Sequence, residues 1–174
     1  MMRGLILGAA LLLLSGCRST RKLEAVSGFS PERYMGVWYE AVRYPHRFEK
    51  GMSSVSAAYT LNDDGTINVL NRGFVDAAAE WKEIEGVAKP KGADNIGWLK
   101  VSFFKPFYAS YKIVYLNEDY TRVIVAGPTY SYLWIMSRSP GLPAGELETL
   151  IGLAEGMGYE RGKMIIVDQS ENLE

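Results

Sequence analysis

Over most of the chain, apolar and polar residues alternate with a period of two. Once, near the end, the period changes to that of a helix. From residue 36 onward, short runs rich in Val, Ile, Tyr, Phe and Trp are separated by Asn, Asp, Gly and Pro, which marks strands divided by turns. The pattern predicts eight strands over 36–43, 53–61, 66–75, 80–89, 98–104, 108–116, 122–127 and 132–137. Asn62-Asp63-Asp64-Gly65 and Asn117-Glu118-Asp119-Tyr120 are turns, because Asn, Asp and Gly tolerate the positive φ of a tight reversal. Lys105-Pro106 is a third turn, and 45–51 is a loop holding Phe48. Eight successive strands without a long crossover favour an antiparallel up-and-down barrel over a sandwich. After Pro140 and Pro143, apolar Leu147, Leu150, Ile151, Ala154 and Met157 recur at helical spacing, with Glu146 in the first turn and Gly158 past the end. This predicts one helix packed outside the sheet, followed by a short strand at 164–167. No internal repeat or low-complexity segment is present.

The stretch 29–40 opens the array. Ser30 can cap a turn, and Pro31 suits its first helical position. Gly36 then punctuates the join to Val37, Trp38 and Tyr39, which favour a strand. A Trp at a strand's start has a large area to bury and an N–H to satisfy, which suits the floor of a closed barrel.

Ahead of this domain, Met1 to Arg3 is a short basic start, 4–14 is apolar or small, and Leu14-Ser15-Gly16-Cys17 follows. The run is short for a membrane span and reads as a signal peptide over 1–16. The four residues resemble the bacterial lipobox, which implies cleavage before Cys17 and acylation of that Cys. Several acyl chains on one residue anchor stably, each buried CH₂ adding about 0.8 kcal/mol. Arg18, where an Asp would signal inner-membrane retention, implies export to the outer membrane on its periplasmic side. Polar residues 18–28 read as a tether, so the lipidated Cys and tether occupy 17–28.

The formal net charge of −1 offers no basic field for nucleic acid, and none is expected as a partner. The chain has one Cys and one His, so acylation of Cys17 leaves neither thiol nor disulfide chemistry. His46 has no second imidazole for a metal site and no G-x-S-x-G partner. Asp63 and Asp64 form a turn, Glu83 and Glu85 an outward strand face, and Gly156-Met157-Gly158 a helix end rather than a dinucleotide loop. No catalytic residue, metal or cofactor is predicted, and the chain is not read as an enzyme.

The order of elements, with Gly36-Val37-Trp38 after a turn, the turn ending Asp119-Tyr120, and Arg138 after the eighth strand, resembles the lipocalin family. The resemblance spans nearly the whole mature chain, with the lipocalin domain at 29–174. It implies a cation–π contact of Arg138 over Trp38 at the barrel floor. Glu118 stands where the family's second motif commonly has Thr. Longer runs resemble the bacterial outer-membrane group: Pro45-His46-Arg47-Phe48-Glu49, Lys100 to Phe104, and Tyr132 to Arg138. That group implies an amphipathic lipid ligand, a fatty acid or lysophospholipid, in transport, storage or membrane maintenance under stress, and it allows a homodimer. Two alternatives stay open: an enzyme acting on a hydrophobic substrate, and a carrier of a pigment or haem-like ring.

Strand alternation nominates the inward positions. Expected inside are Trp38, Glu40 and Val42; Val55, Ala57 and Tyr59; Ile67, Val69 and Asn71; Ile84, Gly86 and Ala88; Leu99, Val101 and Phe103. Tyr111, Ile113 and Tyr115, then Ile124 and Ala126, then Tyr132, Trp134 and Met136 complete the set. Of these, Ala57, Tyr59, Val69, Asn71, Leu99, Val101, Phe103, Tyr111, Ile113, Tyr132 and Trp134 form the expected ligand pocket. Leu133 and Ile135 should face the helix. Phe48, Met52, Phe107 and Tyr108 should rim the open end, against membrane, another subunit or their own loops.

Overall fold

The computed structural model describes residues 19–93 and 95–173; the predicted signal segment, Cys17 and Arg18 lie outside the described residues. A short turn of helix, α1 (Pro31–Tyr34), precedes eight strands. They are β1 (Gly36–Arg43), β2 (Met52–Leu61), β3 (Ile67–Val75), β4 (Glu80–Pro90), β5 (Trp98–Phe104), β6 (Phe107–Leu116), β7 (Arg122–Ala126) and β8 (Leu133–Ser137). Each pairs antiparallel with the next, and β1 pairs with both β8 and β2, which closes the barrel. A long helix, α2 (Ala144–Gly156), follows, and β9 (Ile165–Ile166) adds to β1 outside the barrel beside Val42 and Arg43.

Local chemistry sets these elements. Ser30 Oγ accepts the Arg33 N–H at 3.3 Å, capping α1 with Pro31 at its start. Gly36 holds a φ of +95°, which admits the sharp entry into β1. In the 117–121 turn, Asn117 Oδ1 accepts the N–H groups of Thr121 and Arg122, both at 2.8 Å.

The apolar residues divide into two bodies. Inside the barrel, Trp38, Tyr59, Ile67, Val69, Leu99, Ile113, Val123, Val125 and Met136 pack together. Outside it, Leu150, Ile151 and Ala154 of α2 pack on Val42, Ile124, Ala126, Leu133 and Ile135. Burying each large aliphatic side chain there contributes about 1.5–3 kcal/mol. The expectation that Leu133 and Ile135 face the helix holds, whereas Val42, Tyr115, Ile124 and Ala126, expected inside, belong to the outer body. Two β-bulges displace Val42 and Tyr115. One lies between Glu40 and Val42 and the other between Ile113 and Tyr115, and each extra residue reverses the side that later residues face. On β7 the regular pairing with β8 sets Ile124 and Ala126 opposite Ile135 and Leu133 on the helix side, so Val123 and Val125 take the inward places.

Residues 19–28, which fall within the stretch read as a tether, lie with Phe29 along the barrel as a strap. Ser19 bridges Thr129 in the β7–β8 loop, and the Thr20 N–H bonds to Pro128 O at 3.3 Å. Lys112 donates to Thr20 O at 3.2 Å and Leu23 O at 2.7 Å. The Val26 N–H reaches Ile113 O at 2.9 Å, and the Phe29 N–H reaches Asn95 O at 2.9 Å. The strap thus starts at one end of the barrel and finishes at the other.

Candidate ligand site in the barrel

The end holding α1 is closed. Trp38 is fully buried, and its indole N–H donates to Tyr34 O at 2.9 Å. The Arg138 guanidinium lies 4.0 Å from the Trp38 ring centroid and donates to the carbonyls of Val37, Arg33, Tyr34 and Tyr120 at 2.9–3.2 Å. It thereby ties β1, α1 and the 117–121 turn to one cation. Tyr120 accepts the Ser30 N–H at 2.9 Å.

Above the floor stand three tyrosines. Tyr111 OH lies 2.7 Å from Tyr34 OH and 3.0 Å from Tyr59 OH. Burial pushes all three hydroxyl pKa values well up, so they stay protonated. Three O–H protons serve two contacts, so the set keeps one proton to donate elsewhere. On the β3 wall, Asn71 Oδ1 is buried with no hydrogen-bond partner. The barrel wall therefore holds one surplus donor and one unmet acceptor.

The upper wall is more open. Val101, Phe103, Tyr111 and Trp134 are only partly buried against the inner core. Ile84, directly across from Asn71 on β4, is 40% exposed. Gly86 is needed bare, since a Cβ there would come within 2.8 Å of the Phe103 ring. Tyr132 lies just before β8, stacked on Trp134 with ring centroids 6.1 Å apart. Of the eleven predicted lining residues, Ala57, Tyr59, Val69, Leu99 and Ile113 are packed low in the barrel. Val101, Phe103, Tyr111, Asn71, Trp134 and Tyr132 are packed less completely, Asn71 standing across from Ala57 and Tyr111 across from Leu99.

At the mouth is a charged cluster that sequence reasoning captured only through Glu40. The β1 bulge turns Arg43 inward, in line with Glu40 and across from Trp134. Arg43 Nη1 meets Glu40 Oε2 at 3.5 Å, Nε meets Glu49 Oε2 at 3.7 Å, and Nη2 donates to the carbonyls of Glu49 and Met52. His46 Nε2 is 2.9 Å from Glu49 Oε2, out of hydrogen-bond alignment, and its ring lies 5.4 Å from Trp134 and 6.1 Å from Phe48. The Glu40 side chain is 5% exposed. Burial, reinforced by the facing Glu49 carboxylate, pushes its pKa well above the usual carboxylate range against the pull of Arg43. The pairing of Glu40 with Arg43 three residues on is the signal that was missed, because alternation alone turns Arg43 outward. Among the described residues, no three His, Cys, Asp or Glu side chains converge to hold a metal.

Residues 30–169 match the model of the lipocalin-like domain family. The chain is a lipocalin. It is 41% identical over 170 residues to the outer membrane lipoprotein Blc of Vibrio cholerae, covering 97% of this chain and 99% of that one. Against the outer membrane lipoprotein Blc of Escherichia coli the identity is 39% over 163 residues, covering 92% of each. Among solved structures, insecticyanin of the tobacco hornworm Manduca sexta superposes with a TM-score of 0.70 at 17% identity, covering 86% of both chains. That likeness concerns the barrel alone. In this lipocalin, Gly36-Val37-Trp38, Asp119-Tyr120 and Arg138 converge on the floor, and the mouth at the other end is ringed by the 45–51, 76–79, 105–106 and 127–132 loops.

Proposed function

We propose that this lipocalin is an outer-membrane lipoprotein that reversibly binds a fatty acid or lysophospholipid in its barrel, serving lipid transport, storage or membrane maintenance. The observation that carries this reading is a floor sealed by Trp38 and Arg138 beneath an apolar wall with few polar atoms. The spare proton of the Tyr34–Tyr59–Tyr111 set and the unmet Asn71 Oδ1 fit the hydroxyl, ester or carboxyl groups of an amphipathic lipid. Each buried methylene of an acyl chain adds about 0.8 kcal/mol, so the chain supplies affinity and the polar atoms select the ligand. The names of the Vibrio and Escherichia relatives support the outer membrane as location. Acylation at Cys17, on the periplasmic side, is the anchor that the lipobox resemblance implies.

The test is extraction and lipidomics of the purified full chain, then titration with palmitate and lysophosphatidylethanolamine while following tryptophan fluorescence. A stoichiometric lipid that is displaced on titration is expected. Val101→Arg, which sets a charge on the upper wall, should abolish uptake while the folded near-ultraviolet circular dichroism persists. A barrel that holds no lipid and takes up neither probe overturns the reading.

A further inference from the structure

The two ends of the barrel differ in chemistry. The closed end exposes charges of both signs, Arg33, Asp63, Asp64, Lys91, Glu118 and Asp119, and no exposed aromatic ring among the described residues; the mouth has its own carboxylate in Asp76. The mouth instead carries exposed Phe48 (56%), Phe104 (65%) and Phe107 (77%), with Tyr108 beside them. Arg47, Lys50 and Lys105, also exposed, are interleaved with these rings. Phe104 and Phe107 flank the tip of the β5–β6 hairpin, and Phe48 sits at the centre of the β1–β2 loop. These side chains do not belong to the inner or the outer apolar body. Aromatic rings set among cations match the border between acyl chains and anionic head groups.

The strap supplies the second, independent observation. Its first described residue, Ser19, is bridged to Thr129 in a mouth loop, and Lys112 and Thr20 hold the segment there. Cys17 is two residues ahead, so its Cα lies within about 7 Å of that of Ser19. The anchor therefore leaves the barrel at the mouth, the same end that bears the exposed aromatics.

We propose that the mouth docks on the lipid surface that holds Cys17, with Phe48, Phe104 and Phe107 immersed and Arg47, Lys50 and Lys105 on anionic head groups. The lumen then opens onto the leaflet, and a lipid passes between membrane and barrel without crossing bulk water. The proposal rests on anchorage at Cys17, which the mass of the N-terminal lipopeptide reports separately.

The experiment uses the acylated full chain in vesicles of phosphatidylethanolamine and phosphatidylglycerol. Lys105→Cys and Asp63→Cys each introduce a thiol, Cys17 being blocked, and each is labelled with a nitrobenzoxadiazole dye. Doxyl-labelled lipids then read immersion. The dye at residue 105 should shift to the blue and be quenched as at a depth of about 5–10 Å, whereas the dye at residue 63 should stay aqueous. Combining Phe48→Ser, Phe104→Ser and Phe107→Ser should abolish quenching at residue 105 with near-ultraviolet circular dichroism unchanged. Equal quenching at both ends, no quenching at either, or quenching that survives loss of the three rings overturns docking. Lipid uptake into the lumen is titrated on the same preparation. Uptake without immersion sinks this proposal alone, and immersion without uptake sinks the lipid-carrier reading alone.

Discussion

Replacing Glu40 by Gln should make this lipocalin more stable at neutral pH and remove much of its pH dependence. The carboxyl is buried in the barrel wall, faces Glu49, and meets its nearest cation, Arg43, only at 3.5 Å. Its pKa in the folded protein therefore lies well above the unfolded value of about 4.5. Between those two values the folded state holds a proton that the unfolded state has released. Stability then falls as pH rises through that window, by at most about 1.4 kcal/mol per pH unit. Below the unfolded value both states are protonated and Glu40 costs nothing. Gln keeps the shape and can still accept from Arg43, so at low pH wild type and Glu40→Gln should differ by less than about 1 kcal/mol, the worth of one long hydrogen bond. At pH 7.5 the variant should be ahead by about 1.4 kcal/mol for each unit by which the folded pKa exceeds the unfolded one, counted no further than that pH. Urea unfolding followed by tryptophan fluorescence at pH 4.5, 5.5, 6.5 and 7.5 measures this, and the difference between the proteins cancels every titrating group outside the Glu40–Arg43–Glu49 cluster. Parallel stability profiles, or a variant that loses ground as pH rises, would show Glu40 ionised and held by Arg43, and would refute the reasoning.

Two further substitutions probe the floor and the strap. Arg138→Met removes four hydrogen bonds and the contact over Trp38, and should cost about 2–5 kcal/mol in the same urea assay, with the Trp38 emission altered in the native state. Lys112→Met keeps most of the buried stem but strands the carbonyls of Thr20 and Leu23. It should cost about 1.5–3 kcal/mol locally, which hydrogen exchange reads as at least tenfold faster exchange of the Val26 amide with the amides of β3 unchanged.

Much of the barrel was legible because each strand is bounded by residues with a local reason to turn. Asn117 and Asp64 hydrogen-bond their own backbones, and Gly36 and Gly65 take positive φ. The helix was legible because Leu150, Ile151 and Ala154 keep one face whatever the sheet does. What misled was parity. A bulge is set by how two strands fit across a closing sheet, and nothing in Glu40-Ala41-Val42 or Ile113-Val114-Tyr115 announces it. It moved Val42 and Tyr115 to the helix side and brought Arg43 to the mouth. The strap was illegible for another reason. It is held through backbone groups, by Lys112 and by Leu23, Val26 and Phe29, whose spacing of three matches neither the alternation of a strand nor a full helix and so does not stand out among polar neighbours.

The strap also determines how the molecule bears load. Tension on the residues ahead of Ser19 meets the strap at its mouth end and opens its bonds one after another, at Thr20, Leu23 and Val26, instead of shearing them together. Peeling back to Phe29 lengthens the connection by about 35 Å at the reach of an extended chain. None of the eight barrel strands need part for this, since β1 still closes on β2 and β8. The strap is thus a stitched seam between the barrel and the residues ahead of Ser19, and the strength of its carbonyl contacts on β6 and the β7–β8 loop, with the packing of Leu23, Val26 and Phe29, sets how far those residues can draw away from the domain.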